Sequence, residues 1–307
     1  MAGTYSTNDI QVLTLAEAIR KRPGMYIGGV DSVGLHHLIW SLVEPAAVVA
    51  RSGQRLTMLD VEHTDEWVTV RHDGPDLSVE TVDGRPLLAA LFTQFPRRGM
   101  FVMPGCESVI ACALSEVFEV ETHRDGERWT QTYCRGAAAG EVISMGPSAA
   151  RGTTIRFRPD PAIFPSTAFD TMVIAERLQT LAWLTPQLAI RWQGERLPSR
   201  GGLAGWAEQL CAGECEIELV LRRDANPTAN VDSSDAVAVE VALAWRGAGE
   251  PIVRGFVDIT VTPHGQHIDA LWAGLAALAA RITGTPVDDA RAPQGPPTAH
   301  RCAARVV

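Results

Sequence analysis

Thr14-Leu-Ala-Glu-Ala-Ile-Arg-Lys-Arg-Pro-Gly-Met-Tyr-Ile-Gly28, followed by Gly34-Leu-His-His37, is the stretch on which the reading of this chain turns. Thr14 stands three residues before Glu17, the spacing of a capping box, and Leu15, Ala18 and Ile19 supply an apolar side. Pro23-Gly24 ends that helix, since proline has no amide to continue the ladder. A second helix opens at Gly34 and carries Leu35, Leu38, Ile39 and Leu42 at helical spacing.

Outward from this pair, period-two patterning predicts strands over 56–61 and 66–72, the second with Val68 and Val70 alternating against Trp67, Thr69 and Arg71. Asp73-Gly74-Pro75 reads as a turn. Helices are expected over 86–95 and 107–115, strands over 117–123, 129–134 and 153–158, and an amphipathic helix over 170–184 stopped by Pro186. A short strand follows at 188–192. Beyond a composition shift near Cys211, strands are expected over 215–221, 236–245 and 252–261, with a polar linker at 222–235. A helix from Ile268 presents Leu271, Leu275, Leu278 and Ile282, and 292–307 reads as a loose tail. The expected organisation is an N-terminal arm (1–14), a large α/β domain (15–210), a smaller α/β domain (211–291) and the tail.

Composition narrows the chemistry. The 307 residues fit one large domain or two ordinary ones, at roughly 100–200 residues per domain. A net charge of -9 argues against a broad nucleic-acid-binding surface. Lys21 is the only lysine among 27 basic residues, which removes P-loop and Schiff-base lysine chemistry from everything after position 21. The six cysteines form no C-x-x-C pair, so neither a structural zinc site nor a disulfide framework is expected. Nor is metal binding expected from His264 and His267, which read as a turn into the last helix. The polar first ten residues carry no apolar signal core, and 270–280, taken as the longest strongly apolar helix, is short of the roughly 20 residues of a membrane span. A reduced, cytoplasmic protein without a membrane segment is expected.

Several of these stretches carry a family resemblance. Tyr5-Ser-Thr-Asn-Asp-Ile10, the run Lys21 to Gly28 and Gly34-Leu-His-His37 resemble the opening of the gyrase-B-type ATPase subunits of type IIA DNA topoisomerases, members of the GHKL superfamily. Gly152-Thr-Thr-Ile-Arg-Phe-Arg-Pro159 is similar to the family's G-T-x-x-x-F-x-P strand. Arg177 to Leu184 and Gly201-Gly-Leu203 resemble the close of its ATPase domain, Val239 to Trp245 the start of its transducer domain, and Asp288-Asp-Ala-Arg291 its D-D-x-R. The resemblance implies a Bergerat fold, a layered helix-on-sheet α/β domain with a mobile lid, followed by a partial transducer. It also implies subunits clamped together by ATP to drive DNA strand passage. Tyr5 and Ile10 match arm residues that reach between subunits in the family.

The residues that would carry that chemistry depart from the pattern. The family's base, its Mg²⁺-binding Asn and two further acids lie at i, i+4, i+7 and i+8 on one face of the second helix. Here that stripe is Ser41, Pro45, Val48 and Val49. A serine hydroxyl cannot take a proton from water as a carboxylate does, and proline offers no oxygen to a hard cation. Glu44 is the weak substitute base, pointing about 60° away on an ideal helix.

At the family's adenine-reading acid stands His72, with Asp73 and Gly74 retained after it and Asp76 in place of a second glycine. In the expected lid, Gly105 persists beside Pro104 and Glu107, which respectively removes an amide donor and repels phosphate. Thr153 is retained. His72, Asp73, Gly74, Gly105 and Thr153 are thus the candidate pocket, in degenerate form. No lysine is present to reach a γ-phosphate, and no cofactor or metal is assigned. Three readings stay open: a gyrase-B-like protein without ATP hydrolysis, binding a partner as homodimer or as heteromer with gyrase subunits; an ATP- and Mg-binding subunit fragment with a weakened site; or a binding or resistance protein for a small molecule in the altered pocket. None permits DNA cleavage by this chain alone.

Overall fold

The computed structural model describes residues 13–82, 84–95, 107–211, 217–225, 237–246, 252–284 and 303–306. In chain order the elements are α1 (Leu15–Lys21), α2 (Gly24–Ile27), α3 (Ser32–Arg51), β1 (Met58–Thr64), β2 (Trp67–His72), β3 (Thr81–Val82), β4 (Arg85–Pro86), α4 (Leu87–Leu91), α5 (Ser108–Leu114), β5 (Ser115–Arg124), β6 (Glu127–Cys134), β7 (Ala137–Ala138), β8 (Ile143–Pro147), β9 (Gly152–Pro159), α6 (Thr171–Leu184), β10 (Ala189–Trp192) and β11 (Glu195–Arg196). A second set comprises α7 (Gly202–Leu210), β12 (Ile217–Ala225), β13 (Val237–Arg246), β14 (Phe256–Val257), β15 (Thr260–Val261), α8 (Gln266–Thr283) and β16 (Ala303–Val306). The chain divides into two compact units, 1–197 and 198–307.

The first unit is a layer of helices on a nine-stranded sheet of order β11-β10-β1-β2-β9-β5-β6-β7, with β8 on β6. All neighbours pair antiparallel except β1 with β10, which run parallel. Strand alternation sets the layers. On β2, Val68, Val70 and His72 are buried while Trp67, Thr69 and Arg71 are half-exposed. Across the central strands Phe157 and Ile155 of β9 and Phe118 and Val120 of β5 continue the buried face, against which α3 and α5 pack. The opposite face is charged: Arg156 lies 3.9 Å over the Trp67 ring, and Arg158 bridges Glu66 and Glu116.

The capping box at Thr14 and Glu17 is present, with the Thr14 amide 2.7 Å from the Glu17 carboxylate. Arg20, from the same helix, donates to Ala113 O at 2.9 Å and to Asp160 at 2.5 Å. Arg135 reaches Asp160 at 2.9 Å, and the Ala162 amide completes its shell at 2.9 Å. Asp160 is fully buried. Burial would raise its carboxyl, but the Ala162 amide and the two guanidiniums outweigh that and hold it below the ordinary range. This clasp ties α1, α5 and the ends of β6 and β9 together.

Several elements differ from expectation. The second helix begins at Ser32, where Asp31 accepts the Val33 and Gly34 amides, so the cap lies upstream of Gly34. Gly34 is required by proximity: a Cβ there would fall 2.0 Å from Gly29 O. The helix also runs unbroken through Pro45, because its buried positions (Leu42, Val43, Ala46 and Ala47 among them) hold it against the sheet. α3 also corrects the expectation that 270–280 is the longest strongly apolar helix. Among the described residues it alone is long and apolar enough to cross a membrane, with a mean hydropathy of 1.4; yet 61% of that window is buried, as in a core helix. The helix expected over 86–95 is the five-residue α4. The strand expected over 252–261 is instead a tight hairpin of β14 and β15, turned at Asp258 with φ 54°. The polar linker expected from 222 yields its first part to β12, which ends at Ala225.

In the second unit β12, β13 and β16 form an antiparallel sheet on which α7 packs, so α7 groups with these strands rather than with the first unit. Within the span expected as loose tail, Ala303–Val306 pairs with β13. α8 buries Ile268 and Trp272, while Leu271 and Leu275 are half-exposed and Leu278 is exposed.

Candidate functional site

α3 and α6 lie side by side in the same sense, linked at three levels. His36 Nε2 accepts the Asp170 amide at 3.0 Å, Glu44 pairs with Arg177, and Arg51 donates to Leu184 O at 3.1 Å. One Glu44 oxygen takes both Arg177 Nε at 3.1 Å and Nη2 at 2.5 Å. The expected substitute base is therefore held as the acceptor of a two-pronged ion pair on α6. Ser41 is fully buried and donates to Leu38 O at 2.8 Å, an internal helix bond. Pro45 and Val49 are half-buried, and Val48 is 49% exposed, so the stripe is packed at its start and open at its end. None of the four side chains offers a carboxylate or amide oxygen.

The second set of candidates gathers where β2, β9 and β5 meet. His72 stands directly opposite Thr153, and Thr153 directly opposite Thr122. Direct opposition puts all three on one face, the helix-facing one, and each is almost wholly buried. Thr122 Oγ1 accepts the Leu77 amide at 3.0 Å and lies 3.3 Å from Thr153 Oγ1. The strands approach closely here because Gly152, at φ 89°, has no Cβ; one would lie 2.0 Å from His72 O. His72 Nδ1 accepts the Gly74 amide at 3.2 Å. Burial drives the imidazole down to about 4, against Asp73 and Asp76, whose charges favour the protonated ring.

Asp73 points elsewhere, as the strand alternation requires. Its carboxylate accepts the Thr57 amide at 2.9 Å, the Thr57 hydroxyl at 2.5 Å and the Met58 amide at 2.8 Å, binding the start of β1 to the end of β2. Burial would raise this carboxyl, but the Thr57 and Met58 bonds lower it below the ordinary range. Asp76 accepts the Gly152 amide at 3.0 Å. A cleft of about 120 Å³ opens beside Gly74, lined by Arg55, Asp73, Pro75, Asp76 and Arg151. Glu107 stands at the start of α5 without a side-chain cap bond.

The structure thus brings His72, Gly74 and Thr153 together, turns Asp73 to a structural clamp, and sets Ser41 and Glu44 apart in helix-internal and helix-to-helix bonds. Gly105 and the arm residues Tyr5 and Ile10 lie outside the described residues. Sequence reasoning missed Thr122 and Arg177. Thr122 was readable as an inward position of its strand, whereas Arg177 stood inside a recognised motif with no indication of its partner. His267 Nε2 lies 3.1 Å from Thr262 O, so that ring serves the loop before α8.

A helix layer on a mixed sheet, with a polar row at the ends of the central strands, defines the class: a GHKL-type ATPase fold. Within that class the chain is DNA gyrase B-like, homologous to the ATPase and transducer region of gyrase B. The DNA gyrase B protein of Thermotoga maritima is 32% identical over 293 residues, covering 89% of this chain and 46% of the relative. That of Mycobacterium tuberculosis is 38% identical over 203 residues, covering 63% and 30%. The chain spans about half the length of the former and less of the latter. Among solved structures, the DNA gyrase B protein of Myxococcus xanthus superposes with a TM-score of 0.77 at 27% identity, covering 95% of this chain and 84% of that one. The 43K ATPase domain of Thermus thermophilus gyrase B, in complex with an aminocoumarin, gives 0.73 at 24% identity, covering 95% and 80%. No family model matches the chain.

Proposed function

We propose that this chain is a gyrase-B-type ATPase and transducer region that does not hydrolyse ATP and acts by binding. Its partners would be a gyrase subunit or a second copy of itself in the cytoplasm, and its altered pocket would take a ligand other than Mg-ATP. The observation that carries this reading is the α3 stripe. Ser41 and Pro45 supply no base and no metal oxygen, and Glu44, the nearest carboxylate on that helix, is committed to Arg177. His72 and Asp73 support it, because each has its acceptor engaged by the protein's own amides.

The test is phosphate release with Mg-ATP, together with calorimetric titration of the full chain. The reading expects no turnover above buffer and no heat at millimolar Mg-ATP. Turnover that disappears in Glu44→Ala would overturn it in favour of a live, weakened ATPase. Co-purification with gyrase subunits in a pull-down tests the partner half of the proposal, and a monomeric chain that captures no subunit would remove it.

A further inference from the structure

A groove of about 230 Å³ opens between the first turn of α3 and the segment that leads into α6. Val30, Leu35, Pro165 and Ala168 give it an apolar lining, and its polar members are Asp31, Ser32 and Ser166. Among the described residues no cationic side chain lines it, and neither the His72 row nor the Ser41 stripe reaches it. Val33 and Met172 stand on the first turns of the same two helices at 75% and 76% exposure. Exposed apolar side chains grouped at a groove mark an interaction site. The charge comes from the two helix caps. Asp31 Oδ1 accepts the Val33 and Gly34 amides at 3.1 and 3.2 Å, and Asp170 Oδ1 accepts the Met172 and Val173 amides at 2.9 and 3.4 Å. In both carboxylates one oxygen does the capping, and Oδ2 has no partner among the described residues. Both residues are exposed. His36 holds the caps side by side, since its Nδ1 donates to Ser32 O at 2.6 Å and its Nε2 accepts the Asp170 amide at 3.0 Å.

We infer that this groove docks a segment of a partner protein that presents an apolar side chain next to an arginine or lysine. Size and charge select that occupant. The groove is smaller than the roughly 300–1,000 Å³ of small-molecule sites, so it suits a side chain and not a whole ligand. The two free carboxylate oxygens, with no cation in the lining, complement a guanidinium or ammonium group. An acidic segment would meet two like charges. The inference goes beyond the proposed function and does not depend on the state of the nucleotide site.

The test titrates the full chain into two fluorescein-labelled peptides, RLLARL and its acidic counterpart ELLAEL, and reads fluorescence anisotropy. The basic peptide should bind saturably with a Kd on the order of 100 μM that weakens as salt is added, and the acidic one should show no binding below about 1 mM. Asp31→Asn combined with Asp170→Asn should weaken the basic peptide at least about ten-fold while the thermal transition stays cooperative, because asparagine caps a helix as well as aspartate does. Ala168→Phe, which fills the groove and leaves both carboxylates in place, should weaken it to a similar degree. Equal binding of the two peptides, full affinity in the paired asparagine variant, or no binding of either peptide would overturn the inference. Self-association that Ala168→Phe suppresses, without binding of the basic peptide, would also overturn it and assign the groove to a second copy of the chain.

Discussion

Two regions of the first unit meet the same sequence resemblance with opposite outcomes. In the Arg20–Asp160–Arg135 clasp, Arg20, just before the Lys21–Gly28 run, belongs to a charge network around the buried Asp160 that joins two helices and two strands. In the α3 stripe, about two turns of helix separate Val49 from Ser41, and none of its four side chains offers a carboxylate or amide oxygen. The clasp needs no ligand, since its energy comes from pairing within the protein. The two regions therefore differ in what holds their side chains: Arg20 is fixed by partners within the fold, whereas the α3 stripe carries no carboxylate or amide oxygen.

The largest expected effect lies in the clasp. Asp160→Ala strands Arg20 beside a carboxylate-sized void and should lower stability by about 3 kcal/mol, a fall of roughly 10 °C in the melting midpoint of a unit this size. Arg135, more than half exposed, adds less. A shift under about 2 °C would show that the clasp does not hold the fold and would end the comparison.

Next comes the pH profile. His72 has its native value depressed to about 4, below its unfolded value near 6.5. Its contribution is therefore whole above pH 6.5 and is lost as the pH falls toward 4, about 3 kcal/mol at most. Denaturant midpoints should decline across that window, and His72→Leu should flatten it. A separate decline below the ordinary carboxylate range comes from Asp73 and Asp160, both lowered in the native state. It should persist in the His72 variant.

Pro45→Ala should raise stability by about 1 kcal/mol, because it returns an amide to the Ser41 carbonyl in a helix that already runs through. A loss would show that Pro45 packs against something its half-buried state conceals. The smallest effect is expected of Glu44→Gln, about 0.5–1 kcal/mol for a partly exposed pair, with Arg177→Met coupled to it in a double-mutant cycle. Zero coupling energy would break the account of Glu44 as an α3–α6 tie.

Much of the fold was legible before any coordinates. The Thr14 box, the alternation on β2, the amphipathic helix that became α6 and the central strands all follow from local periodicity and capping. The hairpin at Asp258 and the early start of α3 were not, because a positive-φ turn inside an apolar run and a cap by Asp31 leave weaker signals than hydrophobic spacing. Of the site, the absence of carboxylate and amide oxygens was legible at Ser41, Pro45, Val48 and Val49. Asp73 was expected in the pocket, and strand alternation turned it instead to the Thr57 and Met58 amides. The partners were not legible, since they lie far away in sequence.

The sequence by itself determined most helices and central strands of the first unit and which functional groups the α3 stripe lacks, because capping, periodicity and functional-group identity are properties of neighbouring residues. The tertiary structure alone decided what the remaining polar groups do. Asp160 meets Arg20 across 140 residues, Glu44 meets Arg177 across 133, and His72 is aligned with Thr153 by strand register. Proton location and ion-pair choice depend on such contacts and on the burial they impose, and short-range pattern carries no record of either.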